Sequence, residues 1–334
     1  MIYLKEAILH YYQASTMEKH YSESPLEIEN EYIHTYLEKH IERCRKDFSA
    51  KEGIFFPEAV TREKCQAFLD GEINFLTLST YLAEQLFLEL AHASDDTSRD
   101  VIVCHYEDAK NEPHLAFLLC KNKAAYTHHF LEEEGKAKIA LISHKEILPS
   151  ENQRMEAFFL LNLKSMQILL SDKVLKIDGQ KVALLEELVL GCSTEPSSRE
   201  NYKFINKTLD DICQEYAKDS LEVLRRTKVF LEEKSRDEDK IELSEIASEA
   251  FPDSMAMQKR FKHFSDEAGL PQALSFEHEH IEKETLTQKL VTDTGISLEI
   301  PLNYLNDEGY LSFQRDGEGQ VMIILKGITK LEHK

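Results

Sequence analysis

Residues 101–120, VIVCHYEDAKNEPHLAFLLC, decide the fold of this chain. Two apolar runs, 101–106 and 115–120, lie on either side of a short polar connection. Short apolar runs bounded by polar turns are typical of buried strands. Consecutive strands with short connections favour an antiparallel sheet over strand–helix–strand units. The stretch therefore predicts two neighbouring strands of an antiparallel sheet.

The sequence on either side of this stretch predicts further strands and helices. Apolar runs predict buried strands at 138–142 and 158–161, and a further strand is predicted at 5–13. A 3.6-residue periodicity predicts helices at 33–44, 57–69 and 76–92. After residue 197, a helical pattern covers 199–217, 220–233 and 243–269, and strands return at 296–300, 310–314 and 321–325. Asp316-Gly317 and Glu318-Gly319 supply the turn of a final hairpin.

These elements define an α+β fold. It consists of an N-terminal antiparallel sheet with helices, then a helical region and a small C-terminal β-sheet. The chain has 334 residues, and domains of roughly 100–200 residues make two domains the first expectation. We expect an N-terminal α+β domain at 1–180. The second domain, at 181–334, would hold the helical region and the C-terminal β-hairpin sheet.

Composition excludes several classes of protein. The chain has 40 basic and 61 acidic residues, a formal charge of −21, and 42% hydrophobic residues. This composition excludes a disordered chain, and the negative charge excludes a simple polybasic nucleic-acid binder. No signal peptide is visible at the N-terminus, and the longest uncharged run, 73–83, is too short to cross a bilayer. We expect a cytoplasmic protein without membrane contact.

Motifs for enzymatic or cofactor chemistry are weak. No CxxC, GxGxxG or GxxxxGK[ST] pattern occurs. The two histidines of Glu277-His278-Glu279-His280 are two residues apart, so a hydrated polar strand is favoured over a metal site. Gly191-Cys192 is interpreted as a structural turn rather than an active-site cysteine, and His105 as a hydrogen-bonded core histidine. We therefore predict a non-catalytic protein with no cofactor and no metal.

Basic residues are more informative because they are scarce. The segment 255–264, MAMQKRFKHF, contains no acidic residue. On a helix, Met257, Phe261, Phe264 and Ala268 would face inward and Lys259 and Lys262 outward, with Arg260 and His263 at the flank.

A short helix beginning at Ser244 precedes this segment, and residues 251–254 form a turn in which Asp253 or Ser254 caps the second helix. Two short helices of which the second is basic have the outline of a helix-turn-helix motif. The alternative is a packed helix with a hydrated basic side.

A second basic group consists of Arg225, Arg226 and Lys228. It lies in the stretch 199–230, which has seven basic and six acidic residues and is nearly neutral within an acidic chain. Phosphate binding by this group and a simple hydrated surface are both compatible with the pattern.

Four phrases together resemble one bacterial family. They are VIVCHY at 101–106, LGCS at 190–193 with SREN at 198–201, KLVTDTGISLEIP at 289–301 and MIILKGI at 322–328. Their order and spacing resemble the nucleoid-associated protein family of the NdpA/YejK type. This resemblance implies a cytoplasmic bacterial protein that is associated with the nucleoid and binds double-stranded DNA. It supplies no catalytic motif.

Two hypotheses about function follow. The first is an oligomeric DNA-binding accessory protein that uses the local basic faces around Lys259–Lys262 and Arg225–Lys228. The second is an acidic interaction module that engages a basic, DNA-handling protein partner without binding DNA itself.

Overall fold

The computed structural model describes residues 2–93, 95, 97–133, 136–301, 304, 309–315 and 321–330. Its chain divides into two compact units, Met1–Pro196 and Ser197–Lys334. The first unit extends beyond residue 180 because Leu184, Leu185 and Leu190 pack into its core.

The first unit is built around one large antiparallel sheet. In chain order its described strands are β1 (Tyr3–Gln13), β2 (Glu18–His20), β3 (Lys51–Phe55), β4 (Arg99–Glu107), β5 (Pro113–Lys121), β6 (Lys123–Glu133), β7 (Lys136–Ile147), β8 (Ala157–Asn162), β9 (Ile168–Ser171), β10 (Val174–Ile177), β11 (Gln180–Ala183) and β12 (Cys192–Thr194). Eight of them form the sheet in the order β12-β3-β9-β8-β5-β4-β1-β2. The predicted pair β4–β5 lies near its centre, with Val103 opposite Phe117, which confirms the antiparallel sheet.

Helices cover both faces of this sheet. They are α1 (Glu31–Arg45), α2 (Val60–Leu69) and α3 (Phe75–Leu90). Val101 and Val103 of β4 belong to the same core as α3, whereas Ile102 and Cys104 belong to the core that contains α1. Because both sides of β4 are buried, its residues are apolar in succession rather than in alternation.

Strands β6 and β7 form a separate two-stranded ribbon. The predicted strand at 138–142 is confirmed as part of β7, but its predicted burial is wrong. Ile139 and Leu141 are 71% and 74% exposed. An apolar run shows that side chains favour burial, and it does not show which element covers them.

The second unit is helical at first and then forms small sheets. Its described elements are α4 (Ser198–Glu215), α5 (Ser220–Lys234), β13 (Lys240–Glu242), α6 (Leu243–Ala250), α7 (Met255–Glu267), β14 (Ala273–Ser275), α8 (His278–Leu286), β15 (Thr287–Val291), β16 (Ser297–Pro301), β17 (Leu311–Arg315) and β18 (Val321–Leu325). The pairs β15–β16 and β17–β18 confirm the predicted C-terminal β-structure. The predicted turn at 316–319 lies outside the described residues.

The segment that contains His278 and His280 is a helix, so its interpretation as a strand is wrong. The residues that follow are Glu and Lys, which favour helix, and Ile281 is fully buried in the core of the second unit. No helix within the described part of the chain combines the length and hydropathy required to span a bilayer.

Candidate nucleic-acid interface

The predicted pair of short helices is present as α6 and α7. Strand β13 leads into α6, and β14 follows α7. Ile241 and Leu274 pair across these strands, so the two ends of the helix pair are held together. The Ser254 hydroxyl accepts a hydrogen bond from the N–H of Met257 at 3.4 Å and caps α7, as one of the two predicted capping residues. The α6–α7 segment is therefore bounded at both ends by one pair of strands.

The inner side of α7 packs into the core of the second unit. Met257 and Phe261 are 1% and 0% exposed, as the periodicity predicts, and Phe264 is half-buried. The inward orientation predicted for Ala268 is wrong, because α7 ends at Glu267 and Ala268 is exposed. The core contacts fix which side of α7 faces solvent.

Lys259 and Lys262 are exposed on that solvent side. Residues three apart are neighbours on a helix, so the two ammonium groups occupy one face. Within the described ranges, neither lysine forms an ion pair with an acidic side chain. This face therefore offers two exposed cations to a ligand.

The flanking basic residues of α7 are already engaged. Arg260 Nε donates to Glu215 Oε2 at 2.9 Å, and its guanidinium lies 4.4 Å from the centre of the Phe264 ring. His263 Nδ1 lies 3.4 Å from Glu267 Oε2. A phosphate would compete with these carboxylates for both side chains.

The arginines of α5 serve local contacts. Arg225 donates to both carboxylate oxygens of Glu222, at 3.0 and 2.8 Å. This hydrogen bonding lowers the pKa of Glu222 and raises that of Arg225. Arg226 Nη2 donates to the carbonyl oxygen of Ala250 at 3.1 Å, at the end of α6. The Arg226 hydrogen bond satisfies a carbonyl group at the C-terminus of α6, where a cation is stabilising.

Lys228 points into the protein. It is only 7% exposed, and its Nζ lies 6.0 Å from the centre of the Tyr202 ring. Desolvation by burial lowers the pKa of this ammonium group. A buried ammonium group is not presented to a phosphate, so Lys228 is not part of the exposed surface.

A groove of about 230 Å³ lies between α6 and α7. Its wall includes Ala247, Met255 and Phe261, and both Lys259 and Lys262 border it. The long apolar stems of lysine can rest against such a wall while the ammonium groups remain in water. The groove thus places the two charges at the rim of an apolar surface.

Two other arrangements were not predicted from the sequence. Ser198 Oγ and His280 Nδ1 lie 2.8 Å apart, and His280 Nε2 lies 3.7 Å from Glu284 Oε1. Both Ser198 and His280 are 4% exposed, and the Ser198 hydroxyl accepts the N–H of Glu277. The Ser198–His280 contact is therefore a buried connection between the starts of α4 and α8, whereas Glu284 is partly exposed.

The second arrangement is the trio Asp108, Glu112 and His114, whose ligand atoms lie within 4.8 Å of one another. Lys164 Nζ is 3.7 Å from Glu112, and Asn162 donates to the same carboxylate at 3.0 Å. Lys164 therefore offsets part of the negative charge that would attract a cation, and Asn162 already occupies one oxygen of Glu112. The signal in the sequence was two acidic residues in one hairpin connection and a histidine two residues after the second of them, at the start of β5.

Gly191 and Cys192 form a structural turn, as predicted. Gly191 has a φ of +64° and ends the π-helical segment Leu184–Leu190. Cys192 is 2% exposed, and burial raises the pKa of its thiol to about 12. The cysteine is a core residue.

The fold and this surface define a two-unit α+β protein with a helix-turn-helix-like pair in its second unit. Residues 8–332 match the family described as nucleoid-associated protein YejK, and the chain belongs to that family. The match covers nearly the whole chain and confirms the resemblance seen in the sequence. A comparison with curated proteins finds no match.

Proposed function

We propose that this nucleoid-associated protein is a non-catalytic accessory protein of the bacterial nucleoid that binds double-stranded DNA through the solvent side of α7. One observation carries the proposal. Lys259 and Lys262 are exposed together on the second helix of a helix-turn-helix-like pair, and neither forms an ion pair with any residue that the structure describes. The second helix is the element that enters the major groove in such motifs.

Electrostatics set the strength of this interaction. The formal charge of −21 repels DNA at long range, so attraction is confined to the local lysine surface. Each phosphate contact releases condensed counterions and contributes about −0.9 to the slope of log K against log salt. Two lysines therefore give weak binding that falls with salt, and phosphate contacts carry no direct base preference.

The experiment is a fluorescence-anisotropy titration of a labelled duplex of about 30 base pairs at several salt concentrations. The wild-type chain should bind saturably at low salt. Lys259→Glu combined with Lys262→Glu should weaken binding without lowering the melting temperature by more than a few degrees.

A control with the same change in net charge distinguishes the loss of the α7 lysines from a general increase in long-range repulsion of DNA. Lys176 and Lys181 are opposite each other on β10 and β11, and both are exposed. Lys176→Glu combined with Lys181→Glu should retain most of the duplex binding. Equal losses in both double variants would contradict a specific role for α7.

The alternative is the acidic interaction module. It is favoured by the carboxylates that already engage Arg225, Arg260 and His263, because they reduce the cationic surface available to DNA. A wild-type chain that binds no duplex even at low salt would support this alternative. A basic protein partner would then be sought on the acidic surface.

A further inference from the structure

A cleft in the first unit brings basic side chains together. It lies between the second half of α1 and the segment 151–154, which belongs to the connection between β7 and β8. Its volume is about 490 Å³, and ligand pockets usually measure roughly 300–1,000 Å³. Its basic residues are Lys39, Arg43, Lys46 and Arg154. The cleft therefore combines the size of a small-molecule site with a cationic lining.

The spacing along α1 explains why three of these residues meet. Lys39 and Arg43 are four residues apart and Lys46 follows three residues later, so they project from one side of the helix. They extend over about 10 Å along the helix axis, at 1.5 Å for each residue. Arg154 contributes from the other segment. The positive charges thus reach the cleft from two separate parts of the chain.

Three of the four cations have no acidic partner. Lys39 forms an ion pair with Glu151. Arg43 Nη1 donates to the carbonyl oxygen of Asn152 at 2.6 Å, which joins the two segments and leaves the guanidinium charge uncompensated. Within the described ranges, no carboxylate forms an ion pair with Arg43, Lys46 or Arg154. These three side chains are exposed and can therefore bind an anion.

The carboxylates that border the cleft already have partners. Glu42 accepts a hydrogen bond from Arg45 at 3.1 Å, Asp47 accepts one from a backbone N–H at 3.0 Å, and Glu151 pairs with Lys39. Four cations and three carboxylates give the lining a formal charge of 4 − 3 = +1. The whole chain carries −21. The cleft is thus a local cationic site on an acidic protein.

We propose that this cleft binds a small phosphorylated ligand that carries two or more phosphate groups. Guanidinium groups bind phosphate oxygens in pairs, and an ammonium group adds a compact positive charge. Arg43 and Arg154 would each hold a phosphate group from its own segment, and Lys46 would neutralise further charge. This inference does not depend on DNA binding by α7.

The shape of the cleft favours a small ligand over a nucleic-acid backbone, which offers the same phosphate chemistry. Duplex DNA carries one negative charge per about 1.7 Å of its axis and continues beyond any single cleft. It would therefore also approach Glu42 and Glu151, whose carboxylates repel phosphates. A ligand that ends inside the cleft meets the three uncompensated cations first.

Isothermal titration calorimetry of the full-length chain with sodium tripolyphosphate, at constant ionic strength and without divalent cations, tests the proposal. The wild-type chain should bind the probe saturably. Lys46→Gln combined with Arg154→Gln should weaken binding by about 100-fold, because each charged group that donates hydrogen bonds contributes about 10-fold or more.

A control with the same change in net charge is Arg62→Gln combined with Lys110→Gln. Both side chains are exposed in the first unit, and neither lines the cleft. This control should bind tripolyphosphate as the wild type does. Both double variants should melt within a few degrees of the wild type, because the replaced side chains are exposed.

A variant that gains affinity keeps the proposal testable if the first double variant is unstable. Glu151→Gln removes a negative charge from the cleft and releases Lys39, so it should strengthen tripolyphosphate binding about fivefold. Glu58→Gln removes an exposed carboxylate outside the cleft and should leave the affinity unchanged. Equal gains in both variants would indicate a general effect of net charge and would contradict the cleft.

Duplex titrations separate this site from the lysines of α7. Lys46→Gln combined with Arg154→Gln should bind a duplex of about 30 base pairs as its matched control does. Lys259→Glu combined with Lys262→Glu should retain tripolyphosphate binding. Three results would overturn the proposal: no binding of tripolyphosphate by the wild type, equal losses in the two matched double variants, or a loss of duplex binding specific to the cleft variant. The last result would make the cleft a contact for nucleic acid.

Discussion

The guanidinium of Arg99 donates two hydrogen bonds to the carboxylate of Glu156, at 2.7 and 3.1 Å, from a side chain with no exposure to solvent. Arg99 begins β4, and Glu156 immediately precedes β8. The Arg99 guanidinium also donates to Asp95 and to the carbonyl oxygen of Thr97. This buried cation is thus satisfied by groups from separate parts of the chain.

Glu156→Gln should therefore destabilise the first unit strongly. A buried charge left without any partner costs about 3–5 kcal/mol. Because Arg99 keeps its ion pair with Asp95, the loss should fall below that range and still exceed the loss in the control. Urea unfolding measures this change. Glu107→Gln is the control, because the Lys5–Glu107 pair is 2.9 Å apart but partly exposed, and such pairs contribute about 1 kcal/mol or less. Similar losses in both variants would contradict the role assigned to the Arg99 site.

The salt dependence of duplex binding should change in Lys259→Gln combined with Lys262→Gln. Loss of two phosphate contacts should reduce the slope of log K against log salt by about 1.8. Anisotropy titrations over a salt series measure the slope. Arg225→Gln, at a side chain held by Glu222, should leave it unchanged. If both variants give the wild-type slope, other cations bind the phosphates.

Stability should depend on pH through His40. This side chain is 0% exposed and packs edge-on to the Tyr36 ring. Burial lowers its pKa to about 4, against about 6.5 in an unfolded chain. Between these two pH values the unfolded chain therefore binds more protons than the folded chain. The contribution of His40 to the free energy of unfolding is complete above pH 6.5 and is lost as the pH falls toward 4.

The variant His40→Leu should lose less stability than the wild type between pH 7 and pH 5, as measured by thermal unfolding at each pH. The comparison between the two chains is needed because burial raises the pKa of Asp100 to about 6, which acts in the opposite direction over this range. Parallel pH profiles would show that His40 does not contribute in this way.

The thiols should be unreactive in the folded chain. All six cysteines are buried, and burial raises the pKa of Cys65, Cys104 and Cys192 to about 12. The thiolate is the species that reacts with a disulfide reagent. Titration with such a reagent at pH 8 should show no rapid phase before denaturation and all six thiols after it. A fast native phase would indicate local opening of one core.

The central sheet could be predicted from the sequence because the burial of each strand is visible within the strand's own few residues. The runs 101–106 and 115–120 are apolar at nearly every residue, and strands buried on both faces have this pattern. The exposed ribbon could not be predicted, because the run 139–142 within β7 is as apolar as a buried strand. Its partner β6 contains His128 and His129, which obscure the alternation.

The same limit applies to the candidate site. Helical periodicity correctly placed Met257 and Phe261 on the inner side of α7. It also placed Lys259 and Lys262 on the outer side, because the inner and outer sides are defined within a single helix. The burial of Lys228 depends on Tyr202 of α4, which is distant in the sequence. Contacts between elements thus decide which basic residues reach solvent, and periodicity within one helix does not report them.

The strand order of the first unit constrains the synthesis of the chain. Strand β3 pairs only with segments made much later, β9 and β12. Chains grow at about 5–20 residues per second. The early strand therefore waits several seconds or more on the ribosome before residue 194 is made and its last partner arrives. During that interval its edges are open to other chains, so we expect early nascent chains to depend most on chaperones.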